Sequence, residues 1–243
     1  MFNKMIDKEK EDAIKYLNKN EIYNLSIIGY IKENPLKRIV RQGDSFLAQG
    51  SVEERWVYLS SEDEKELTDL IRNLDVEDKY FGALDGWQIP HLTKDNEIEW
   101  LINAYQYHYP DDKEIPRNKI ETHQLTPKDS EYIISQSIYK DMLSVEYLNE
   151  RINRSVSAGI YEDRKLVAWA LTHDDSSLGS MHVLEDYRRR GYAKEITISL
   201  LRQCREIGKI PFLQCEDKNI PAQKLVEGIG FVKDRNVSWL KLK

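Results

Sequence analysis

Three consecutive arginines stand directly before a glycine in the stretch VLEDYRRRGYAKE, residues 183–195. Arg188, Arg189 and Arg190 offer charge and bidentate donors that suit phosphate oxygens. The apolar pattern predicts a strand that ends before this loop and a helix that begins near Gly191. The first N–H groups of a helix have no internal partner, and the helix dipole adds partial positive charge there. Such a junction favours an anion, and we interpret the loop as a site for a pyrophosphate-bearing ligand.

Two small residues of the loop fit this interpretation. Gly191 lets a ligand approach the backbone closely, and Ala193 keeps the first helical turn narrow. The loop is not a P-loop, because no GxxxxGK occurs, nor a dinucleotide fingerprint, because no GxGxxG follows a strand. The chain is acidic, with 42 Asp and Glu against 36 Lys and Arg and a formal net charge of −6. This balance argues against a general nucleic-acid binder, so phosphate binding is expected to be local.

The loop resembles motif A of the GNAT superfamily of N-acetyltransferases, in which Gln or Arg is followed at fixed spacing by Gly and then by Gly or Ala. Arg188, Gly191 and Ala193 occupy those places. The stretch NIPAQKLVEGIGF resembles motif B of the same superfamily. In it Asn219 follows a predicted strand, and Ala222 opens a helix that ends before Gly-Phe.

Within the superfamily, the C-terminal half is most similar to the C-terminal domain of glycine N-acyltransferases. The shared features are VAWALTHD, a strand running into EDYRRRG, the stretch DKNIPAQKL, and Trp239 near the end of the chain. Those proteins also carry an N-terminal domain before the transferase half. The resemblance covers residues 118–243.

The resemblance implies an acyl-CoA co-substrate, with acetyl-CoA favoured, and no metal. The pantetheine arm is expected along the edge of the strand that contains Met181 and Val183, where this strand diverges from its neighbour. The pyrophosphate is expected on the main-chain amides of the loop. The residues expected to bind the co-substrate are Met181, Val183, Arg188, Arg189, Arg190, Gly191, Tyr192, Ala193, Lys194, Asn219 and Ala222.

The resemblance also implies the reaction, which is direct attack of an amine on the thioester carbonyl in a ternary complex, with backbone N–H donors stabilising the oxyanion. His182 and Glu216 are the candidates for the base, and an ordinary histidine pKa near 6.5 suits proton removal at neutral pH. Many members place a tyrosine in motif B as a general acid, and Val226 stands at that position here. Because a CoA thiol is already an acceptable leaving group, this departure leaves activity open.

Three functions therefore stand side by side. The favoured one is transfer of an acetyl group to the amine of a small molecule or amino acid. The second is the same chemistry on a protein N-terminus or lysine. The third is a non-catalytic acyl-CoA-binding regulatory module, which the absent motif-B tyrosine keeps in view.

The elements around the motifs predict an α/β protein. Residues 118–243 show the order β–α–α–β–β–β–α–β–α–β, which is the order of the GNAT fold and its mixed sheet. The first strand of this series is IETHQL, and SAGIYEDRKLVAWALTHDDSSLGSMHV is an antiparallel meander. The N-terminal part shows a helix at its start, the strand RWVYL, a helix opened by a Ser61–Glu64 capping box, the strand KYFGAL and a helix over EIEWLINAYQYHY.

The stretch YPDDKEIPRNK is charged and contains two prolines, which is typical of a linker. We place a domain boundary near Ile115. Residues 1–115 then form a smaller α/β domain, and residues 116–243 form the GNAT acyltransferase domain. By analogy with tandem members of the superfamily, the first domain is a candidate for a diverged copy of the same fold.

Cysteine usage and hydropathy bound the cellular context. Cys204 and Cys215 show no metal-type spacing and are interpreted as reduced, buried thiols. The start of the chain has no apolar segment of the signal-peptide type, and no apolar run reaches the roughly 18 residues of a membrane helix. These features predict a cytoplasmic protein without membrane, nucleic-acid or metal partners.

Overall fold

The computed structural model describes residues 2–50, 55–137 and 144–243. The chain divides into two compact units, and neither is continuous in sequence. The N-terminal unit comprises Met1–Gln106, Cys215–Asn219 and Asp234–Lys243, and the C-terminal unit comprises Tyr107–Gln214 and Ile220–Lys233. The predicted domain boundary near Ile115 stays a prediction.

The N-terminal unit contains both helices and strands. Its helices are α1 (Phe2–Leu17), α2 (Leu25–Glu33), α3 (Glu64–Ile71) and α4 (Ile89–Thr93). Its strands are β1 (Leu36–Gln42), β2 (Ser45–Gly50), β3 (Trp56–Ser60), β4 (Tyr80–Leu84), most of β5 (Ile98–His108) and most of β10 (Val232–Leu242).

The strands of the N-terminal unit lie in the order β1-β2-β3-β4-β10-β5. β3 and β4 are parallel and stay in register from Trp56↔Tyr80 to Tyr58↔Gly82. Residues of α1 and α2, including the buried Ile31, share one apolar cluster with Tyr58, and α3 contributes Leu67 to a second cluster. The sheet is therefore covered by helices and buries apolar side chains, as an α/β unit requires.

The C-terminal unit repeats this construction. Its helices are α5 (Ser130–Gln136), α6 (Val145–Arg154), α7 (Tyr192–Glu206) and α8 (Ile220–Ile229). Its strands are β6 (Ser157–Glu162), β7 (Lys165–Thr172), β8 (Leu178–Val183) and the larger part of β9 (Phe212–Glu216). β6, β7 and β8 are antiparallel neighbours, and β9 is parallel to β8. The predicted α/β class and mixed sheet are confirmed.

The element order along the chain repeats. The order α1-α2-β1-β2-β3-α3-β4-α4-β5 is followed by α5-α6-β6-β7-β8-α7-β9-α8-β10. The sequence alone shows no such repeat. Across the described residues, with the short 3-10 helices left aside, the chain thus has two series of the same nine-element order, as two copies of one fold would give.

Local signals in the sequence predict Ser144 as a helix cap and a turn at Asp163 and Arg164, and both predictions are confirmed. Ser144 caps α6, because its Oγ accepts the N–H of Tyr147 at 3.0 Å. The turn between β6 and β7 places both Asp163 and Arg164 at positive φ, 49° and 67°. Both residues then have the left-handed backbone that tight two-residue hairpin turns need.

One helix prediction and one strand prediction are wrong. Residues 97–109 were expected as a helix, because apolar residues recur there at spacings of three and four, but they form β5, which pairs with a strand from the far end of the chain. The stretch IETHQL, expected as a strand, forms none, and among the described residues it makes a single isolated bridge, His123↔Gly159.

Two further corrections concern the N-terminal unit. The predicted Ser61–Glu64 capping box does not form, because the cap of α3 is Asp63, whose Oδ1 accepts the N–H of Glu66 at 2.8 Å. The hairpin of β1 and β2 was not predicted, although Gly43, at φ 58°, marks its turn.

Candidate functional site

In the C-terminal unit, β8 pairs with β9 near the start of β8. They pair at Leu178↔Leu213, near the start of both strands, and no further register pair joins them. The N–H of Leu184 donates to the carbonyl of Val167 on β7 at 2.9 Å. Because main-chain groups alternate in direction along a strand, those of Met181 and Val183 face away from β7, toward the opening.

A bulge re-aims the middle of β8. Trp169 and Leu171 of β7 lie opposite His182 and Gly179 of β8, so β8 has one residue more than β7 between the same two pairs. Ser180 lies in this extra length and has φ 48°. A bulge leaves one residue out of the ladder and turns its N–H toward a new direction. This is a feature of the site that the sequence did not indicate.

The junction between β8 and α7 has the geometry of an anion site. Gly191 is the N-cap residue of α7, with φ 86°, and Arg189 is also at positive φ, 62°. The first helical hydrogen bond runs from the N–H of Glu195 to the carbonyl of Gly191 at 3.2 Å. The amides of Tyr192, Ala193 and Lys194 precede that bond, and such leading amides lack intrahelical acceptors.

Two features of position 191 favour glycine, its backbone conformation and its position beside the proposed ligand. A Cβ built on this residue would meet no atom within 4 Å, so the protein leaves the space beside it open. The positive φ, which disfavours any residue with a Cβ, is the stronger constraint from within the chain. A ligand that approached the same surface would add the close-approach requirement expected from the sequence.

The three arginines have different surroundings. Arg188 donates through Nε to the carbonyl of Val183 at 3.2 Å, which joins the loop to the end of β8. Arg190 donates to the carbonyl of Asp186 at 3.0 Å, and its guanidinium lies 4.8 Å from the ring centre of Tyr187. All three side chains are exposed. Within the described part of the chain, no hydrogen bond or ion pair holds the Arg189 side chain.

His182 lies on β8 beside the bulge, with its ring stacked on that of Trp169 at a centroid distance of 4.5 Å and an interplanar angle of 19°. Burial lowers the pKa of His182 from its ordinary value, and the nearby Arg188 guanidinium lowers it further. The imidazole is therefore neutral at neutral pH, which is the state that a base requires.

The remaining predicted residues fall in two places. Ala222 lies in the first turn of α8, in the C-terminal unit. Glu216 ends β9 and Asn219 precedes α8, and both belong to the N-terminal unit. The N–H of Asn219 donates to the carbonyl of Glu216 at 2.9 Å, which closes the turn between the two elements.

Three further observations concern a general acid, a metal site and a membrane-spanning helix. Val226, at the motif-B position, is 5% exposed and packs in the core of its unit, so its site offers no proton donor. Among the described residues, no group of three or more His, Cys, Asp or Glu is placed to hold a metal ion. Across the same residues, no helix has both the length and the apolar character needed to span a bilayer.

Glu162 is a residue of this region that sequence reasoning missed. Its carboxylate accepts the phenol O–H of Tyr192 and lies 3.5 Å from a guanidinium nitrogen of Arg190. The contact joins the end of β6 to the start of α7, thirty residues later in the chain. No local pattern could have indicated it.

Comparison with known proteins shows what the sequence and the fold are similar to. Residues 157–240 match the family model described as FR47-like protein. A protein of known structure from Drosophila is 16% identical and superimposes with a TM-score of 0.81 over 98% of this chain and 96% of that one. No curated protein matches the chain.

Two other solved structures carry family names. An acetyltransferase of the GNAT family from Colwellia psychrerythraea is 17% identical, with a TM-score of 0.54 over 82% of this chain and 81% of that one. A tandem GNAT protein from the clavulanic acid biosynthesis pathway is 12% identical, with a TM-score of 0.51 over 90% and 87%. The predicted GNAT fold is confirmed, whereas membership of the superfamily and the closer likeness to glycine N-acyltransferases stay predictions.

Proposed function

We propose, from the premise that the chain has the GNAT fold and an FR47-like segment over residues 157–240, that it is an acyl-CoA-dependent N-acyltransferase. The favoured reaction is transfer of acetyl from acetyl-CoA to the amine of a small molecule or amino acid. The observation that carries the proposal is the divergence of β8 from β9 beyond Leu178, next to a helix start capped by Gly191.

In this proposal the co-substrate follows the main chain of β8. Pantetheine amides pair with the main-chain groups of Met181 and Val183, as an added strand pairs with an open edge. The pyrophosphate lies on the amides of Tyr192, Ala193 and Lys194, where the dipole of α7 favours negative charge. Arg189, exposed and without a partner in the described chain, adds a cation beside the phosphates.

The chemistry needs one new bond and one broken bond. The amine nitrogen attacks the thioester carbonyl, the N–C bond forms, and the C–S bond breaks to release the CoA thiolate. His182 takes the proton that the amine loses, and the thiolate is protonated by solvent. Main-chain N–H groups at the Ser180 bulge are the candidate oxyanion donors, because the bulge releases them from the ladder. Glu216 is the alternative base.

A second candidate is a non-catalytic acyl-CoA-binding module. The buried Val226 favours it, because the motif-B position supplies no acid for the leaving thiolate. Binding is then the whole function, and the site would release no thiol in the presence of any amine.

Binding and turnover distinguish these candidates. Thermal shift with acetyl-, butyryl- and benzoyl-CoA tests binding, and free thiol released against amino acids, small amines and peptides tests transfer. We expect stabilisation by acetyl-CoA and thiol release with a small amine. Release with peptides alone would favour the protein acceptor, and binding without release would favour the inert module.

A double variant tests the phosphate site itself. Arg189→Ala with Gly191→Asp removes a cation and adds a carboxylate at the helix start, and we expect it to abolish stabilisation by acetyl-CoA. Unchanged affinity would show that acyl-CoA, if bound, lies elsewhere.

A further inference from the structure

One carboxylate contacts both residues that flank Gly191. Glu162 is the last residue of β6, directly before the tight turn to β7. Its Oε1 accepts the Tyr192 O–H, and its Oε2 lies 3.5 Å from Arg190. The backbone on each side of the glycine is therefore attached, through a side chain, to the same strand end.

The two attachments are of different kinds. Tyr192 is 8% exposed and the Glu162 side chain is 34% exposed, so their contact is partly shielded from water. Arg190 is half exposed, and its guanidinium also donates to the Asp186 carbonyl. The partly shielded contact with Tyr192 fixes the first turn of α7, and the more exposed contact with Arg190 fixes the loop that precedes this turn.

The charge of the Glu162 carboxylate would not by itself favour binding of a diphosphate at this place. In the proposed function the neighbouring amides bind a diphosphate, and a fixed negative charge beside a diphosphate repels it. Neutralising Glu162 would then tighten binding. A carboxylate that orients the binding amides has the opposite effect, because a pre-ordered site spends less free energy on ordering when the ligand arrives.

We infer that Glu162 is a positioning residue of the acyl-CoA site, which holds the turn around Gly191 in its binding conformation through Tyr192 and Arg190. The inference rests on the proposed function. It predicts that a neutral side chain at this position weakens binding of the diphosphate-bearing co-substrate, against the direction that charge alone gives.

The test is Glu162→Gln, with Asp163→Asn as the matched control. Both substitutions remove one negative charge from adjacent residues. Asp163 has a left-handed backbone, which asparagine adopts readily, and no hydrogen bond or ion pair holds its side chain in the described structure. The ligands are acetyl-CoA and S-acetyl-pantetheine, which lacks the diphosphate.

We expect Glu162→Gln to raise the Kd of acetyl-CoA about tenfold, the effect of losing one charge-assisted hydrogen bond that orders the site. The Kd of S-acetyl-pantetheine should be unchanged, and kcat at saturating acetyl-CoA should change less than KM. Asp163→Asn should leave both ligands' affinities unchanged. A general loss of structure would instead weaken both ligands together.

The outcomes separate the two levels of the argument. If the wild-type protein does not bind acetyl-CoA, the proposed function and this inference both fall. If the wild type binds and Glu162→Gln binds as tightly as Asp163→Asn, only the inference falls. Should Glu162→Gln fail to fold, Tyr192→Phe decides, because it removes one hydroxyl and keeps the ring. Its affinity for acetyl-CoA should fall, and unchanged affinity would overturn the inference.

Discussion

His182 is the residue at which the proposed proton transfer is most directly tested. Its stacked, partly buried ring has a lowered pKa, so the neutral form persists to lower pH than in an ordinary histidine. We expect His182→Gln to reduce kcat about 10²-fold, the lower end of the usual contribution of a general base. The measurement is thiol release at saturating acetyl-CoA and acceptor.

The pH profile is the control for this assignment. In the wild type, kcat should fall as pH decreases through the pKa of His182, with a midpoint below 6.5, because protonation removes the base. Arg188→Gln should move that midpoint upward, because the guanidinium is the second cause of the lowered pKa. A profile in His182→Gln that keeps the same acidic limb would assign the proton to another group, Glu216 included.

Substitution of Gly191 tests the cost of its positive φ separately from any steric clash of a new side chain. A Cβ at Gly191 meets no atom within 4 Å, so Gly191→Ala should cost about 1–2 kcal/mol of stability through its positive φ alone. Gly228, inside α8, is equally open but has an ordinary helical backbone, so Gly228→Ala should stabilise by about 0.5–1 kcal/mol. Urea unfolding of the two variants checks the opposite signs. A neutral Gly191→Ala would mean that the loop relaxes to negative φ.

At the scale of elements, α3 tests how a helix start is capped. Because the Asp63 carboxylate accepts the Glu66 N–H, Asp63→Ala should lower the free energy of unfolding by about 1 kcal/mol. Asp63→Asn keeps an acceptor and should retain most of that stability. Denaturant midpoints measure both. Equal loss in the two variants would assign the effect to charge at the helix start.

Elements with local signals were the ones that the sequence could predict. Ser144 and the Asp163–Arg164 turn have their own boundary chemistry, and the loop that Gly191 and its arginines predicted does lie between a strand and a helix. β5 could not be predicted, because Ile98, Leu101 and Ile102 fit a helical spacing and its strand partner β10 lies more than a hundred residues away. Tertiary pairing overrides local pattern in such cases.

The site shows the same division between local and distant information. The loop of residues 188–194 is contiguous, so its composition alone supports a proposed role in binding phosphate. The bulge at Ser180 arises from the register of β8 on β7, and the Glu162–Tyr192 contact joins two distant elements. Neither the bulge nor the contact can be recognised from the local sequence.

At the scale of the whole molecule, the repeated element order poses the question of how many acyl-CoA molecules one chain would bind. In the N-terminal unit, β3 and β4 stay paired over three register positions, and the helix that follows β3 begins with acidic residues. Asp63 already accepts one of the leading amides there. We therefore expect one acetyl-CoA per chain by titration calorimetry. A stoichiometry of two would show that the N-terminal unit opens to the ligand.

The last strand of the chain belongs to the N-terminal unit, where β10 pairs with β4, and this has a consequence for truncation. Its residues Val237, Leu240 and Leu242 are at most 4% exposed and belong to the two apolar clusters of that unit. Each such side chain contributes about 1.5–3 kcal/mol when buried, so deletion of residues 234–243 should unfold the N-terminal unit rather than trim its edge. Hydrogen exchange at the amides of β4 measures this.

The matched control keeps the whole of β10 and replaces only its two charged surface residues, Lys241 and Lys243. Lys241 and Lys243 bond the carboxylates of Glu99 and Glu97 at 2.9 and 2.8 Å, and exposed pairs of this kind contribute at most about 1 kcal/mol each. The double alanine variant should therefore keep the protection of β4 that the truncated chain loses. If the truncated chain retained it as well, the buried side chains of β10 would not be what holds the N-terminal unit together. A fragment of residues 116–243 would then contain β10 without its partner strand β4, and the C-terminal unit itself would not need β10.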